Sequence, residues 1–284
     1  MSAEASLADK RAALEGILLE LGSLVVAYSG GVDSACLAVF AHRVLGARAL
    51  AVTADSESLA GDQRALALEV ARRFAFAHRV VRTSEMANPH YVRNQADRCY
   101  HCKSELFRHL LPLAQAEGYA HVAYGLILDD LSDFRPGQRA AAEAGVRAPL
   151  AEAGLSKQDV RALSRELGLP TAELPASPCL ASRLPYGTPV TAEALRRVEQ
   201  AETGLRALGF RELRVRHLGD RARVELAAVE LPRLEDTGTR EAVLAAVRQA
   251  GYAEVVVDPQ GYRRGRLNEA LPIVSVVGGS ADGI

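Results

Sequence analysis

Ser23-Leu24-Val25-Val26-Ala27-Tyr28-Ser29-Gly30-Gly31-Val32-Asp33-Ser34 is the stretch whose reading decides the fold. Ser23 to Tyr28 is a short, mostly apolar run ending at the glycine pair, which reads as a buried strand. Directly after it, Ala35 to Leu45 is apolar at helical spacing. Glycines between a strand and a helix let backbone amides approach an anion, and the helix N-terminus adds unpaired donors. Ser29 and Ser34 add hydroxyls, so Ser29, Gly30, Gly31, Asp33 and Ser34 are the candidate phosphate-binding residues. Neither the Walker pattern nor the Gly-x-Gly-x-x-Gly of dinucleotide folds is present, which argues against kinase, GTPase and dehydrogenase chemistry. On its residues alone Asp33 is a first-turn carboxylate, well placed to cap the helix.

Outward from this loop the same order repeats. A helix over Leu7 to Leu21 precedes it. Arg48 to Thr53 reads as strand, Asp62 to Phe74 as helix, Arg79 to Val81 as strand, Ser104 to Glu117 as helix and His121 to Gly125 as strand. Alternation of this kind predicts an α/β fold with a parallel sheet covered on both faces. A helix over Ser156 to Leu167 stops ahead of Gly168 and Pro170. The proline-rich run from Pro175 to Pro189 then marks a structured loop or hinge. Beyond it, helices over Ala192 to Leu208 and Arg240 to Ala250 alternate with strands near 212–217, 222–226 and 254–257, a smaller C-terminal α+β domain. Domains are expected at residues 1–185 and 186–284.

The chain has 284 residues, 49% of them hydrophobic, and 34 basic residues against 35 acidic ones. Near-neutrality gives no broad field for nucleic acid or a membrane surface, so neither is an expected partner. No segment is long and apolar enough to span a bilayer, and the N-terminal residues do not form a signal peptide, so the cytoplasm is the expected compartment. In a reducing compartment Cys36, Cys99, Cys102 and Cys179 read as ligands, nucleophiles or core residues rather than a disulfide framework. Cys99 and Cys102 are a Cys-x-x-Cys pair, open on spacing alone to a redox pair, half of a zinc site completed by His101 and Cys179, or a cluster site. Arg214 and Arg216 fall on one side of a strand, where two guanidinium forks suit a nucleotide phosphate or a solvated face.

The loop hexapeptide resembles the signature of the PP-loop ATP pyrophosphatases, which adenylate a substrate and release pyrophosphate. Four further segments narrow the resemblance: Asp97-Arg-Cys-Tyr-His-Cys-Lys-Ser-Glu-Leu-Phe107, Asp129-Asp-Leu-Ser-Asp-Phe-Arg-Pro-Gly137, Ser177-Pro-Cys-Leu-Ala-Ser-Arg-Leu-Pro-Tyr-Gly187 and Gly261-Tyr-Arg-Arg-Gly-Arg-Leu-Asn-Glu269. Together these are similar to the LarE family, ATP-dependent sulfur transferases of nickel-pincer nucleotide synthesis. The resemblance implies an adenine nucleotide alpha-hydrolase-like domain followed by a substrate-binding and oligomerisation domain, ATP as cosubstrate, and Asp33 as a magnesium ligand. It implies that a pyridinium dicarboxylate mononucleotide is adenylated and that Cys179 is the sulfur-bearing residue. It also implies that Cys99, Cys102 and Cys179 hold a [4Fe-4S] cluster fed by an external sulfide source, and that the chain forms a homo-oligomer. Substrate contacts carry over to Arg214 and Arg216, and to Arg263 and Glu202.

One departure stands out. Where the family has Gly-Thr-Asn ahead of its Asp-Asp pair, this chain has Gly125-Leu126-Ile127-Leu128, with Asp130, Asp133 and Arg135 kept. Either ATP binding is weakened or the backbone makes the contacts. Two other enzyme readings share the loop: tRNA thiolation, for which no RNA-binding module is evident, and amide formation, which leaves three cysteines idle.

Overall fold

The eight N-terminal elements expected to alternate are present in that order. In the computed structural model, residues 5–132 and 136–263 are described. Helix α1 (Leu7–Leu21) starts on a capping box in which Ser6 and Asp9 bond each other's backbone amides. Strand β1 (Leu24–Ala27) runs into α2 (Val32–Leu45), then β2 (Ala49–Asp55), α3 (Gly61–Phe74), β3 (Ala77–Arg82), a four-residue α4 (Pro89–Val92), α5 (Arg98–Ala116) and β4 (His121–Tyr124). The four strands form one parallel sheet in the order β3-β2-β1-β4. β1 is central and fully buried, which is why its sequence is apolar without alternation. The strand order reverses between β1 and β4, and ligands in open parallel sheets bind at such a switch point beyond the strand C-termini. The Ser29 to Ser34 loop lies there.

Both faces of the sheet are covered. Leu14, Leu18, Val26, Leu37, Leu150, Val160 and Leu163 belong to one core, built from α1, α2, α7 (Pro149–Glu152) and α8 (Lys157–Glu166). Val25, Val52, Phe107, Leu110 and Ala141 belong to the opposite one, under α5 and α6 (Pro136–Glu143). The C-terminal region places α9 (Ala192–Ala207) and α10 (Thr237–Gln249) on a three-stranded sheet. There β5 (Leu213–Leu218) pairs antiparallel with β6 (Arg221–Leu226), and β6 pairs parallel with β7 (Glu254–Val257). A fourth cluster, with Ala60, Tyr91, Leu180, Ala181, Leu184, Leu195 and Val198, joins the two regions through the proline-rich run.

The main difference from the sequence reading is the start of α5. It begins at Arg98, six residues ahead of the expected Ser104, because the polar opening Arg-Cys-Tyr-His-Cys-Lys hides the helical period. Cys99 and Cys102 therefore stand one turn apart on one helix face. The short α4, α6 and α7 also escaped periodicity, being too brief to show it, and Pro89 and Pro149 occupy the first turn where a missing amide costs nothing.

Candidate active site

The phosphate loop is preformed. Ser29 and Ser34 face each other at 3.1 Å between hydroxyls, the Ser29 amide donates to Ser34 Oγ at 3.2 Å, and Ser34 Oγ reaches the Gly31 carbonyl at 3.1 Å. Gly30 has φ +77°, and a Cβ there would lie 2.9 Å from Ala67 Cβ on α3, so glycine is demanded twice, by conformation and by the close approach of α3. Gln63 on α3 donates to the Ser29 carbonyl at 3.0 Å. Asp33, in the first turn of α2, is not a helix cap here: both its oxygens accept from Lys157 Nζ at 2.8 Å. Lys157 opens α8, and its own amide donates to Asp129 at 2.7 Å.

The Leu126-Ile127 substitution turns inward. Leu126 joins the core of Phe107 and Tyr124, while Ile127 joins that of Val26 and Leu155. Leu126 and Ile127 thus pack on opposite faces of the sheet, while Leu128 is exposed. Gly125 next to them is fixed by the loop itself. A Cβ at Gly125 would lie 2.8 Å from the Ser34 amide nitrogen and 3.0 Å from the Asp33 carbonyl carbon, and backbone cannot step aside as a side chain can. Gly125→Ala is therefore expected to displace the phosphate loop and weaken ATP binding by about tenfold or more, with a stability loss of about 1–3 kcal/mol from overpacking. Calorimetric titration with ATP checks this; an unchanged affinity would show that the loop tolerates the shift.

The second half of the site gathers around Cys179. This residue leads into a 3-10 turn over Leu180–Arg183, and its neighbour's amide, Leu180 N, donates to the Ser58 carbonyl at 2.9 Å. Three arginines hold the loop from below and from the sides. Arg183 donates through Nη1 to the Pro178 and Cys179 carbonyls at 2.5 and 3.1 Å, and through Nε and Nη2 to Glu202 at 2.8 and 2.9 Å. Arg216 donates to the Ser182 carbonyl at 2.9 Å and to Glu225 at 2.9 Å, and Arg214 donates to the Ala176 carbonyl while lying over the Tyr262 ring. Arg214 and Arg216 do share a side of β5, and here their forks bracket the cysteine loop. Glu202 is fully buried beneath it. Burial opposes both charges of the Arg183 and Glu202 pair, yet their mutual attraction wins: Glu202 is held below the ordinary carboxylate range and Arg183 above its own. Arg263 is exposed at the end of the described chain, next to Tyr262. Asp133, Arg135 and residues 264–269 of the Gly-Tyr-Arg segment lie outside the described residues.

Cys102 and Cys179 pack against the cluster that joins the two regions, with Cys99 one turn ahead of Cys102 on α5. Burial pushes the Cys99 and Cys102 thiols up, and a charge on Cys179 pushes them further, so the three sulfurs lie within electrostatic reach of one another. Arg98 and Lys103 act in the opposite direction. Cys36 stands apart in the core of α2, its thiol pushed up to about 12 by burial. His101 is occupied elsewhere, bonded to Asp97 at 3.1 Å and stacked on His90. Among the described residues, no three Cys, His, Asp or Glu side chains gather as a ready ligand set for a metal ion. The donor set still suits an anionic sulfur-rich group, because Arg98 is buried beside the thiols with no carboxylate partner among the described residues. It donates to the Asn94 side chain at 2.5 Å and the Ala181 carbonyl at 2.8 Å and lies beside the Cys99 thiol, and a buried cation without a counter-ion is costly unless an anion faces it.

Sequence reading did not single out Arg98, Arg183 or Lys157. Arg98 and Arg183 sit within quoted segments, beside Cys99 and inside Ser-Arg-Leu-Pro, but nothing in a string of 34 basic residues marks these as buried. Lysine is rarer: only Lys10, Lys103 and Lys157 occur, and that scarcity was the one signal available.

A family model described as asparagine synthase matches residues 20–100, the span that carries the phosphate loop. An uncharacterised protein of Synechocystis is 45% identical over 252 residues, covering 89% of this chain and 94% of its own length. The pyridinium-3,5-bisthiocarboxylic acid mononucleotide synthase of Lactiplantibacillus plantarum is 36% identical over 268 residues, covering 94% of this chain and 96% of its own. An uncharacterised protein of Methanocaldococcus jannaschii is 25% identical over 240 residues. Identity of this extent, joined to a PP-loop at the switch point of a parallel sheet, places the chain in the LarE family of ATP-dependent sulfur transferases.

Proposed function

We propose that this chain adenylates a carboxylate of pyridinium biscarboxylic acid mononucleotide and replaces a carboxylate oxygen with sulfur, giving a product of the kind for which its Lactiplantibacillus relative, a pyridinium-3,5-bisthiocarboxylic acid mononucleotide synthase, is named. The observation that carries the proposal is the buried Arg98, without a carboxylate partner among the described residues, beside Cys99 and Cys179, with Cys102 one helical turn on from Cys99 and the cysteine loop bonded to the segment that leads into α3. Amide formation gives such thiols no task. tRNA thiolation would use them, but the net charge of −1 gives no broad attraction to RNA.

In the proposed reaction the substrate carboxylate attacks the α-phosphorus of ATP and pyrophosphate departs with the bonding electron pair. Ser29, Ser34 and the amides of Gly30 and Gly31 receive the phosphate charge. Asp33 would hold magnesium on the phosphates, which releases the Lys157 ammonium to face phosphate oxygens. Sulfur then attacks the acyl carbon, AMP leaves, and a thiocarboxylate remains. Cys99, Cys102 and Cys179 would hold a [4Fe-4S] cluster, which when bound supplies an open coordination position for a transferable sulfide. Arg98 balances the negative charge of that centre. Arg214 and Arg216, and with them Arg263, would meet the nucleotide phosphate, while Glu202 keeps the arginine layer in place.

Two measurements test this. Anaerobic incubation with ATP, magnesium, sulfide and the pyridinium mononucleotide is expected to yield pyrophosphate and a thiocarboxylate, detected by mass spectrometry; turnover with ammonia or tRNA and none with the mononucleotide would overturn the reading. Reconstituted wild type is expected to carry about four irons with charge-transfer absorption, and Cys99→Ala to lose most of both. Wild type without such absorption would remove the cluster and leave the sulfur of Cys179 itself as the donor.

A further inference from the structure

The phosphate loop and the cysteine loop do not touch in any contact described above, yet both are fastened to the same short piece of chain. On one side, Gln63 donates to the Ser29 carbonyl at 3.0 Å, Ala67 packs against Gly30, and the Ala67 carbonyl accepts from the buried Tyr28 hydroxyl at 3.1 Å. Three successive residues of the strand-to-loop corner thus rest on the first two turns of α3. On the other side, the Ser58 carbonyl accepts from Leu180 N, the residue after Cys179, and Ala60 is packed in the cluster of Leu180, Ala181 and Leu184.

The start of α3 is itself unusual. Its N-cap is Ala60, which has no side chain able to bond the free amides. The missing cap arrives from α9, 138 residues later: Glu199 Oε1 accepts from Gly61 N at 2.6 Å. A Cβ on Gly61 would lie 3.2 Å from that oxygen, so glycine gives the carboxylate its close approach. Asp62 is tied to α9 as well, through Arg206 at 3.1 Å. Arg206 also bonds Glu202 at 3.1 Å, and Glu202 holds Arg183, which carries the Pro178 and Cys179 carbonyls. The contacts close a ring from phosphate loop to α3, α3 to α9, α9 to Arg183, Arg183 to the Cys179 loop, and back through Leu180 to Ser58.

We infer that the first turn of α3, capped in trans by Glu199 and clasped by the Asp62 and Arg206 pair, is the strut that sets the position of the Cys179 loop relative to the phosphate loop. Glu199 and Asp62 are positioning residues: neither belongs to the sulfur centre or the phosphate loop, and both act through α3. The inference rests on the function proposed above in one respect, that the two loops serve successive half-reactions. Adenylation makes no demand on the Cys179 thiol, whereas attack by sulfur needs both loops in register, and misplacement of about 1 Å is enough to lose about 10²-fold in rate.

The test is the double variant Glu199→Ala/Asp62→Ala beside wild type. Amide hydrogen exchange, which needs no substrate, is expected to quicken about tenfold or more in peptides covering residues 58–64, 177–183 and 28–34 together, with α1, α8 and α10 unchanged. Glu199→Gln, which keeps an acceptor oxygen for Gly61 N, is expected to restore most of the protection. In the functional arm, pyrophosphate release stays within about twofold of wild type while thiocarboxylate formation falls about tenfold or more, and Glu199→Gln recovers it. Faster exchange confined to 58–64 would overturn the strut, as would equal losses in both half-reactions. If exchange spreads to all three segments and wild type makes no thiocarboxylate, the strut stands and the sulfur-transfer reading falls.

Discussion

Cys179→Ala is expected to release pyrophosphate at close to the wild-type rate with the pyridinium mononucleotide and to form no detectable thiocarboxylate. The loss should exceed about 10³-fold, equivalent to about 4 kcal/mol of barrier at about 1.4 kcal/mol per decade. The separation follows from what holds each half of the site. The phosphate loop is organised by Ser29, Ser34, Gly31 and the α3 contacts, none of which involves the Cys179 side chain. The cysteine loop in turn is held by its carbonyls, through Arg183, Arg214 and Arg216, so its path does not depend on the thiol. What disappears is the sulfur. Cys36 cannot substitute, since it is fully buried in the α2 core with its thiol pushed up to about 12. Cys179→Ser sharpens the test by keeping size and polarity; it too is expected to be inactive in sulfur transfer. Quantifying pyrophosphate and product in one anaerobic reaction decides the matter, and product formation by Cys179→Ala would eliminate this residue as donor and as essential ligand.

The loop proposed to bind nucleotide was legible in the sequence because its conformation is local. Two glycines, two serines and an aspartate between an apolar strand and a helix need only near neighbours to become a phosphate cradle, and the parallel sheet around them follows from alternation. The sulfur half was legible as a residue list but not as an arrangement. Cys99 and Cys102 read as a Cys-x-x-Cys pair ahead of a helix expected from Ser104; only the earlier start of α5 shows that they share a helix face. Arg214 and Arg216 were expected to present open forks to a phosphate, and period two did put them on one side of β5. That their guanidinium groups grip the Ala176 and Ser182 carbonyls depends on residues nearly 40 positions away, which no local pattern reports. Arg183 went unseen for the same reason, as did the capping of Gly61 by Glu199. Leu126 and Ile127 raised a question about ATP that the fold recasts: their side chains belong to the two cores, and the position that meets the phosphate loop is Gly125.

The largest stability effect is expected at the buried pair under Cys179, and the two partners should differ in kind. Arg183 is 1% exposed and Glu202 is 0% exposed, and removing one member of such a pair costs about 3–5 kcal/mol because the other charge is left uncompensated. The costs should not be equal. Glu202 accepts from Arg183, from Arg206 at 3.1 Å and from Val215 N at 3.1 Å, so it is the anion that keeps several guanidinium groups together. Burial, and after it the charge of Arg183, already pushes Arg214 down. In Glu202→Gln the shape and one acceptor survive, but Arg183, Arg206 and Arg214 lose their shared counter-charge and repel one another. In Arg183→Met, Glu202 keeps Arg206 and the Val215 amide, so the remaining charge is still answered. Urea unfolding is therefore expected to rank Glu202→Gln as the less stable variant, by about 1 kcal/mol or more within that range. Sulfur transfer should rank them the other way, because Arg183 alone carries the Pro178 and Cys179 carbonyls and its loss frees the loop that presents the thiol. Equal unfolding midpoints, or a Glu202→Gln variant poorer than Arg183→Met in sulfur transfer at a temperature where both are folded, would show that Glu202 meets the substrate itself rather than holding the arginines that frame it.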